Sequence, residues 1–376
     1  MAVTSQDRFA NLVDAKLRDA IVQKNGFVWN NRYEGNPKAG AVKIPVRDTE
    51  AVVGDYAKDN ASAGASFTQA VGSYLTLAIN KDIAVNEKID GYSVDSVPDN
   101  ILADRLDSAG YSLALRMNAD GTQELLNAEI IASTESLTKD NVYAQFVDLR
   151  TALSREKVPT QGRFALVAPE VYALLLKSPE FVKASDLGDA VVQSGAVGQT
   201  AGFLIFEDTS LPAVVSVIVG HPDWCTRVEE WAVSPKVQSL DGSGNFIGEV
   251  AIQGRKIYAH KLTKPQTARQ ITSVLAPTIE VTGGGATFTV TANAGNNLSG
   301  GTYTLEYKPN FIGNTATNVI NTVGVPTSGT GITFVSLATT NDTYTGDVKA
   351  RVKLVLSGNT YYSGWVSTGT VVFTKS

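Results

Sequence analysis

The sequence predicts two fold classes in one chain: an α+β region that is followed by an all-β sandwich. Residues 1–275 contain 60 charged residues, whereas residues 276–376 contain nine, together with 21 Thr and 14 Gly. The first region mixes helical periodicity with apolar runs, and the second consists of short alternating segments between closely spaced turn signals. The change in composition near Pro277 therefore predicts a domain boundary.

The overall composition predicts a globular protein and argues against several functional classes. The chain has 376 residues, of which 43% are hydrophobic, so it can form more than one domain with its own core. Its net charge is -5 without a block of like charges, which argues against direct binding to nucleic acid. The single cysteine, Cys225, excludes an intrachain disulfide and suits a reducing cytoplasm. The sequence shows no signal peptide or membrane-spanning pattern, so no membrane is expected as a partner.

The N-terminal segment from Ser5 to Asn25 has helical periodicity and is followed by Gly26, a typical helix stop. This pattern predicts an amphipathic helix within an arm that covers residues 1–40. Two placements remain open, because the helix can pack on its own domain or under a neighbouring subunit. The apolar stripe consists of Phe9, Leu12, Val13, Leu17, Ala20 and Ile21.

A long hairpin is predicted over about residues 41–80. Residues 42–53 and 74–79 have strand character and flank a tip of small residues from Ala57 to Gly72. An isolated two-stranded hairpin is only marginally stable in water, so this excursion needs a surface to lie on. That surface is either an adjacent subunit or the hairpin's own domain. The apolar residues that alternate onto one face are Leu75, Leu77 and Ile79.

The middle of the chain predicts two longer helices and further strands. A helix that starts after Pro98 extends as far as Ile131, with Gly110 and Gly121 as candidate bends or breaks. Its apolar residues are Ile101, Leu102, Leu106, Leu113, Leu115, Leu125, Leu126 and Ile131. A second helix over 140–155 carries Val142, Phe146, Leu149 and Leu153 one turn apart. Strands are predicted at 213–219, 227–233, 246–252 and 256–260, and the DGSGN cluster at 241–245 predicts a hairpin turn between two of them.

The segment from Gly162 to Pro212 contains a recognisable order of motifs. An apolar strand at 164–167 leads into the helix PEVYALLL, and the loop GAVGQTAG precedes a second strand, FLIF. The helical residues expected on one face are Val171, Tyr172, Leu175 and Leu176. This order resembles the coat-forming domain of tailed-bacteriophage major capsid proteins, in which PEVYxxLL and GxxGxxxGFxI follow a strand. The resemblance covers residues 1 to about 265.

The resemblance implies an α+β capsid fold for residues 41–275, with a long spine helix, an extended hairpin loop and a central sheet. It further implies a subunit that forms hexamers and pentamers of itself and closes into an icosahedral head around double-stranded DNA. A portal and a scaffolding function are the implied partners, and the implied location is the virion after assembly in the host cytoplasm. The implied contacts between subunits are Phe9, Leu12, Leu17, Lys58, Ala63, Gly64, Gly195, Gly198 and Gly202.

Some members of this family lock their shells with a covalent bond between lysine and asparagine. Lys58, Asn60 and Lys81 lie near the predicted hairpin. The sequence identifies neither a bonding partner nor a catalytic glutamate for them. We therefore expect a non-covalent shell.

Residues 276–376 are expected to form a sandwich of short strands. The predicted strands are 287–291, 302–307, 332–337, 348–356 and 371–374. The motif from Tyr344 to Ala350 resembles the Y-x-x-x-V-x-A corner of fibronectin type III and immunoglobulin-like domains, in which the tyrosine hydroxyl bonds back to the chain. This resemblance implies an immunoglobulin-like domain that is displayed on the outside of a shell.

Three aromatic residues near the end of this domain are candidate contacts for a glycan or a host-surface protein. They are Tyr361, Tyr362 and Trp365. Alternatively, these side chains fill the sandwich core. If the C-terminal domain is the functional part, the chain is instead an adhesin-like binding module on a non-viral α+β scaffold. The missing secretion signal argues against that alternative.

The sequence predicts no enzyme, and no catalytic, cofactor-binding or metal-binding residue is assigned. The two histidines are His221 and His260. His221 and Cys225 are four residues apart, but Pro222 interrupts the turn and two ligands do not close a zinc site. A lone buried cysteine usually acts as a small hydrophobic residue.

Three further patterns also lack the chemistry that they first suggest. The GAVGQTAG loop has no Gly-Lys-Ser/Thr ending, precedes rather than follows a strand, and is interpreted as a flexible turn. Around Asp241, Phe246 and Ile252 stand where a calcium loop requires glycine and glutamate. The pairs Glu207-Asp208 and Glu229-Glu230 point to opposite faces of their strands, so they are interpreted as solvated.

Overall fold

The computed structural model of the chain describes residues 13, 16–17, 21–33, 40–47, 72–90, 101–178, 198–241, 248–282, 287–296, 298–311, 321–324, 331–335 and 343–374. The chain divides into two compact units. Unit 1 comprises Met1–Glu124 with Pro222–Thr263, and unit 2 comprises Leu125–His221 with Lys264–Ser376. Unit 2 therefore contains the whole C-terminal region together with a part of the α+β region.

The described helices are α1 (Ile101–Leu125), α2 (Val142–Arg155) and α3 (Pro169–Lys177). The strands of the α+β region are β1 (Ala41–Arg47), β2 (Gly72–Ala78), β3 (Lys81–Asp90), β4 (Glu129–Ile130), β5 (Phe164–Val167), β6 (Gly198–Thr200), β7 (Phe203–Glu207), β8 (Val215–Gly220), β9 (Cys225–Ser239), β10 (Glu249–Leu262) and β11 (Arg269–Thr272). Those of the C-terminal region are β12 (Thr278–Thr282), β13 (Thr287–Thr291), β14 (Thr302–Phe311), β15 (Asn321–Gly324), β16 (Gly331–Val335), β17 (Thr343–Leu356), β18 (Asn359–Tyr362), β19 (Val366–Ser367) and β20 (Val371–Thr374).

Unit 1 is built on a three-stranded antiparallel sheet in the order β3-β10-β9. Helix α1 packs on this sheet because its apolar residues recur at helical spacing and meet inward side chains of the strands. Strands β9 and β10 pair antiparallel, as the predicted hairpin requires, and residues 242–247 of its turn lie outside the described residues. The buried residues of this core are Val13, Leu17, Ile21, Ile89, Leu106, Leu113, Ala114, Met117, Ile252 and Tyr258.

The N-terminal helix does not continue to Asn25 as the sequence predicts. Val13, Lys16 and Leu17 are helical, but residues 21–25 are not. The physical reason is the buried ring of Trp29, whose indole N–H donates to Gln23 Oε1 at 3.0 Å. The chain is irregular where it brings these two side chains together.

Helix α1 remains helical through both of its glycines, which allow the N-terminal segment to approach closely. A Cβ atom at Gly110 would lie 2.8 Å from the carbonyl oxygen of Val13. A Cβ atom at Gly121 would lie 3.2 Å from the ring of Trp29. Neither glycine divides the helix, and both positions are restricted to glycine by packing.

The long helix ends at Leu125, whereas the apolar pattern predicts that it extends to Ile131. Residues 129 and 130 instead pair in parallel with β11. The backbone N–H of Ala128 closes the last turn by donating to Leu125 O at 2.9 Å. Strand pairing with a distant part of the chain therefore overrides the local helical period.

The base of the predicted hairpin packs on unit 1. Strands β1 and β2 are antiparallel, with Val42 opposite Leu77 and Ile44 opposite Leu75. Their apolar face lies against Val228 and Ala259, and Leu75 and Ile79 are partly buried there. The predicted alternation is confirmed, and the described part of the hairpin lies on its own unit. The tip at 57–71 lies outside the described residues.

The α+β part of unit 2 is a six-stranded mixed sheet in the order β4-β11-β8-β5-β7-β6. Its central strand β5 is buried at every position, which explains the continuous apolar run in the sequence. Helix α2 packs on β7, where the rings of Phe146 and Phe203 are 6.2 Å apart. The four apolar residues predicted for α2 are all fully buried.

Helix α3 begins with Pro169 at its first position, as the sequence predicts. Val171 and Leu175 are buried on its inner side. Leu176 is 49% exposed, so the expectation that it shares the buried face is wrong. The four predicted residues span more of the helix circumference than a nine-residue helix buries against the sheet.

The C-terminal region consists of two sheets that share one hydrophobic core. One sheet has the order β12-β13-β16, and the other has the order β15-β14-β17-β18 with β19 and β20 beside β17. The predicted strands are all present, while β12, β15, β18 and β19 are additional. The buried core consists of Val214, Val274, Phe288, Val290, Leu305, Val348, Ala350, Val352 and Leu354. The side chain of Tyr344, which would form the predicted corner, lies outside the described residues.

Candidate assembly and attachment residues

The structure describes some of the residues that the resemblance assigns to contacts between subunits. Six of these residues lie outside the described part of the chain: Phe9, Leu12, Lys58, Ala63, Gly64 and Gly195. Leu17, Gly198 and Gly202 lie within it. The hairpin tip and the first half of the glycine-rich loop therefore remain predictions.

Leu17 does not present a surface to a neighbouring subunit. Its side chain is 3% exposed and packs in the core of unit 1 with Leu106 and Leu113 of α1. The assignment of Leu17 as a contact between subunits is therefore corrected: for this residue the structure favours the alternative that the helix packs on its own domain. A side chain that is already buried has little area left for another subunit.

The second half of the GAVGQTAG loop, residues 198–202, forms the first strand and the turn of a hairpin, so it is not a flexible turn. Residues 198–200 form β6, which pairs antiparallel with β7. The turn is made by Ala201 and Gly202, with φ angles of 47° and 84°. A Cβ atom at Gly202 would lie 3.7 Å from the guanidinium carbon of Arg150 on α2. Strand pairing and positive φ, which glycine adopts readily, fix this loop.

The three aromatic attachment candidates are partly buried. The guanidinium of Arg351 lies 3.8 Å from the ring centre of Tyr362 and 4.4 Å from that of Trp365. Arg351 also binds the carboxylate of Glu306 at 2.7 Å. Tyr361 packs against the C-terminal core. Stacking on arginine uses one face of each ring of Tyr362 and Trp365, so only the remaining edges are available to a ligand.

A buried polar network in unit 1 is absent from the sequence-based assignments. Arg227 and Lys256 are each 3% exposed, and both lie near the carboxylate of Glu229. Lys256 Nζ is 3.3 Å from Glu229 Oε2, and Asn25 donates to Glu229 Oε1 at 3.3 Å. Arg227 also donates to the backbone oxygen of Gln23 at 3.1 Å. The interpretation of Glu229 as a solvated side chain is wrong, because its carboxylate is partly buried. The positive charges of Arg227 and Lys256 offset the cost of burying it.

The second part of this network surrounds His260. Its ring packs at a tilt against Trp29, with ring centres 4.6 Å apart, and edge-on against Tyr258, with ring centres 5.5 Å apart. Burial lowers the pKa of His260 to about 3, and the positive charge of Arg227 contributes in the same direction. The hydroxyl of Tyr258 donates to Asp120 at 2.6 Å. Burial is the main cause of the raised pKa of Tyr258, and this hydrogen bond raises the pKa further. His260 is therefore neutral at neutral pH and serves packing.

Comparison with solved structures finds the same architecture in other chains. A chain of Mycobacterium phage Che8 matches with a TM-score of 0.51 at 20% sequence identity, over 70% of this chain and 90% of that chain. The mature capsid of bacteriophage PhiM1 matches with a TM-score of 0.47 at 16% identity, over 66% and 89%. The capsid of cyanophage P-SCSP1u matches with a TM-score of 0.49 at 12% identity, over 65% and 85%. No protein-family model matches the sequence. No curated protein matches it significantly.

The chain has the fold of tailed-phage major capsid proteins. This result confirms the fold that the motifs at 162–212 predict. Because the match covers 90% of the Che8 chain, this chain contains nearly all of that chain's fold. About 30% of this chain lies outside the match.

In this capsid-fold chain, the catalytic and metal candidates occupy structural positions. His221 Nε2 lies 2.9 Å from the carbonyl oxygen of Gln161. Cys225 is fully buried, which raises the pKa of its thiol and keeps the sulfur protonated. The carboxylate of Asp241 accepts hydrogen bonds from the hydroxyl of Ser239 and from the backbone N–H of Gly248. Among the described residues, no group of three or more His, Cys, Asp or Glu side chains could hold a metal ion. None of the helices in the described ranges is both long and apolar enough to cross a membrane.

Proposed function

We propose that this protein is a major capsid subunit that assembles with itself into an icosahedral tailed-phage head around double-stranded DNA. The observation that carries the proposal is the capsid fold, shared with the Che8 chain over 90% of that chain's length. Hexamers and pentamers of this one chain form the shell, and a portal and a scaffolding function complete it. The subunits assemble in the host cytoplasm and end in the virion.

In this proposal α1, which is 25 residues long, is the spine helix. The tip of the hairpin over 41–80 reaches over a neighbouring subunit, while the hairpin base and the arm residues Val13, Leu17 and Ile21 stay on unit 1. The turn of β6 and β7 lies near the centre of a capsomer. Each contact is modest, and closure of many contacts stabilises the shell.

The charge of the chain supports the enclosure of DNA without specific binding. A net charge of -5 gives the shell no strong attraction for the phosphates of the packed genome. His260 and Tyr258, two described side chains with strongly perturbed pKa values, are buried inside unit 1. Both observations favour a structural role over an enzymatic one.

The C-terminal region is proposed to be an immunoglobulin-like domain on the outer surface. One sheet contains β12, β13 and β16, which are the first, second and fifth strands of the domain. The other sheet contains β15, β14, β17 and β18, which are the fourth, third, sixth and seventh. This distribution supports a Greek-key sandwich. We extend the proposal to weak attachment to a glycan or host-surface protein through the exposed edges of Tyr361, Tyr362 and Trp365.

Electron microscopy of the purified chain, expressed alone and with the neighbouring genes, tests the shell. We expect closed particles with surface knobs that correspond to the C-terminal domain. On a denaturing gel these particles should run as single chains, because no covalent bond between subunits is proposed. A chain that stays monomeric in both expressions would contradict the proposal, and a ladder of multimers would contradict its non-covalent part.

A hairpin variant tests the contact between subunits. Replacing the tip at 57–70 with a short Gly-Ser linker should abolish closed particles, because it removes the part that reaches over a neighbour. Circular dichroism and thermal unfolding should remain at the values of the parent, since the hairpin base on unit 1 is unchanged. Intact particles from this variant would show that the tip is not an assembly contact.

A further inference from the structure

One edge of the six-stranded sheet in unit 2 is formed by a very short strand. Strand β4 has two residues and, among the described residues, pairs with β11 alone. The pairing continues for one more bond, because Ile131 N–H donates to Gln270 O at 2.9 Å. An uncovered edge of this kind is a template for pairing with another chain, so natural proteins cover or interrupt it.

The C-terminal region lies directly against residues 131–134, which continue this edge beyond β4. Gly364 approaches the backbone at residues 131–132 so closely that a Cβ atom on it would lie 2.6 Å from the carbonyl carbon of Ile131. Such a Cβ atom would clash with backbone atoms, which cannot move aside as a flexible side chain can. Only glycine fits at this position, and its φ angle is not positive, so close approach is the reason.

Hydrogen bonds fix the same contact on both sides of the glycine. Thr272 Oγ1 on β11 donates to the carbonyl oxygen of Tyr362 at 2.9 Å. Asn293 Nδ2 donates to the carbonyl oxygen of Thr134 at 2.7 Å. Ala276 N–H donates to Ser133 O at 2.8 Å. Residues 131–134 therefore lie between the sheet and the C-terminal sandwich.

An apolar contact joins the two parts as well. Val214 precedes β8 and Val274 follows β11, yet both are buried in the core that Phe288 and Leu305 form in the sandwich. Removal of the sandwich would expose these two valines to water. Two buried valines and several backbone bonds make this a continuous packed interface within unit 2.

We propose that the C-terminal region of residues 276–376 is a permanent cover for residues 131–134, which continue the β4 edge of this sheet. When the cover is loosened, the exposed edge pairs with the same edge of a second copy of the chain. The region is therefore required for a non-aggregating subunit, in addition to any role at the outer surface. The proposal rests on contacts within unit 2 and does not depend on shell formation.

Substitution Gly364→Val in the full chain tests the cover, with Thr360→Val as the matched control. Thr360 is exposed on β18, so the control adds the same side chain in the same segment without touching residues 131–134. For Gly364→Val we expect amide hydrogen exchange at 131–134 to rise about tenfold or more. Light scattering should show association that increases with concentration. The control should match the parent in both measurements.

A milder double variant, Thr272→Val with Asn293→Ala, covers the case in which Gly364→Val fails to fold. It removes two interface hydrogen bonds and leaves the sandwich core and β4 unchanged. Faster exchange confined to 131–134 in either variant would support the proposal. Unchanged exchange at 131–134 in a folded variant of either kind, or faster exchange without association, would overturn it.

Discussion

The core of unit 1 and the core of the C-terminal sandwich bury different chemistry. Unit 1 buries Arg227 and Lys256 around the partly buried Glu229, beside a neutral His260. The sandwich core is formed by valine, leucine, alanine and phenylalanine, and its buried ion pair of Arg351 and Glu306 lies beside it. Buried charges must be paired, whereas buried apolar groups need only be well packed.

This difference predicts different sensitivities for the two regions. The stability of unit 1 depends on charge and on pH, because the loss of one partner leaves another charge without compensation. The stability of the sandwich depends on volume, because each deleted methyl group leaves a cavity. Amide hydrogen exchange can measure the two stabilities separately, because the amides of β10 report on the stability of unit 1 and those of β17 on the stability of the sandwich.

The largest expected effect is on the volume of the sandwich core. Phe288 is 1% exposed, and its ring centre lies 6.2 Å from the ring centre of Tyr307. Phe288→Ala should lower the free energy of unfolding of the sandwich by about 4 kcal/mol, with the same loss at pH 5 and pH 8. Protection of the β17 amides measures this loss. Leu298→Ala, at an exposed position, is the control and should cost less than about 1 kcal/mol. Equal losses in the two variants would contradict the packed core.

The next effect is on charge pairing in unit 1. Glu229→Gln keeps the side-chain volume but leaves Arg227 and Lys256 buried without a carboxylate. We expect a loss of about 3 kcal/mol in the free energy of unfolding of unit 1. Tryptophan fluorescence during urea unfolding reports on this unit, which contains Trp29, Trp224 and Trp231.

The neighbouring substitution Glu230→Gln is the control for Glu229→Gln. Glu230 lies on the same strand with its side chain on the opposite face. It should cost less than about 1 kcal/mol, as is typical of a carboxylate near the surface. A loss as large as that of Glu229→Gln would show that the network is not the source of the effect.

Local patterns predict much of the fold, because helices and isolated strands follow short-range periodicity. The spacing of Val142, Phe146, Leu149 and Leu153 predicts α2 within two residues of its observed ends. The apolar run at 164–167 predicts β5 with its observed bounds, because a central strand that is buried on both faces requires a continuous apolar run. The motif order at 162–212 predicts the capsid fold, which the comparison confirms.

The rest depends on pairing between distant parts of the chain. The network at Glu229 joins residues near 25, 227 and 256, and no local pattern connects them. Strand β3 is not predicted because Lys81 and Glu87 interrupt the inner face that Ile83, Val85 and Ile89 form, although β10 pairs along its whole length. The end of α1 and the strand at 198–200 are likewise set by partners that lie far away in sequence.

The third effect is a dependence on pH that belongs to unit 1. His260 is neutral in the folded chain because its pKa is lowered to about 3, whereas an unfolded histidine has a pKa of 6.5. Between these values the unfolded state binds a proton that the folded state does not, so stability falls as the pH drops below about 6.5. The slope approaches about 1.4 kcal/mol per pH unit. Arg227 and Lys81 oppose protonation of the ring, and Asp120 favours it.

The variant His260→Phe keeps an aromatic ring beside Trp29 and removes this titration. Its urea unfolding between pH 4 and pH 7 should lack the part of the slope that His260 contributes. His221→Gln, in unit 2, is the control and should keep the slope of the parent. If His260→Phe and the parent show parallel pH curves, the ring is not the group that makes unit 1 sensitive to acid.

The smallest effect concerns the ion pair beside the sandwich core. Arg351→Lys keeps the positive charge opposite Glu306 but loses the planar stacking between Tyr362 and Trp365. The expected loss for the sandwich is about 1 kcal/mol, because an ammonium group cannot stack on two rings as a guanidinium does. Near-ultraviolet circular dichroism should change together with the protection of the β17 amides. Lys353→Arg, two residues along the same strand, should change neither. An unaffected Arg351→Lys variant would mean that charge alone holds this pair, and the sandwich would then resemble unit 1 in relying on ionic pairing.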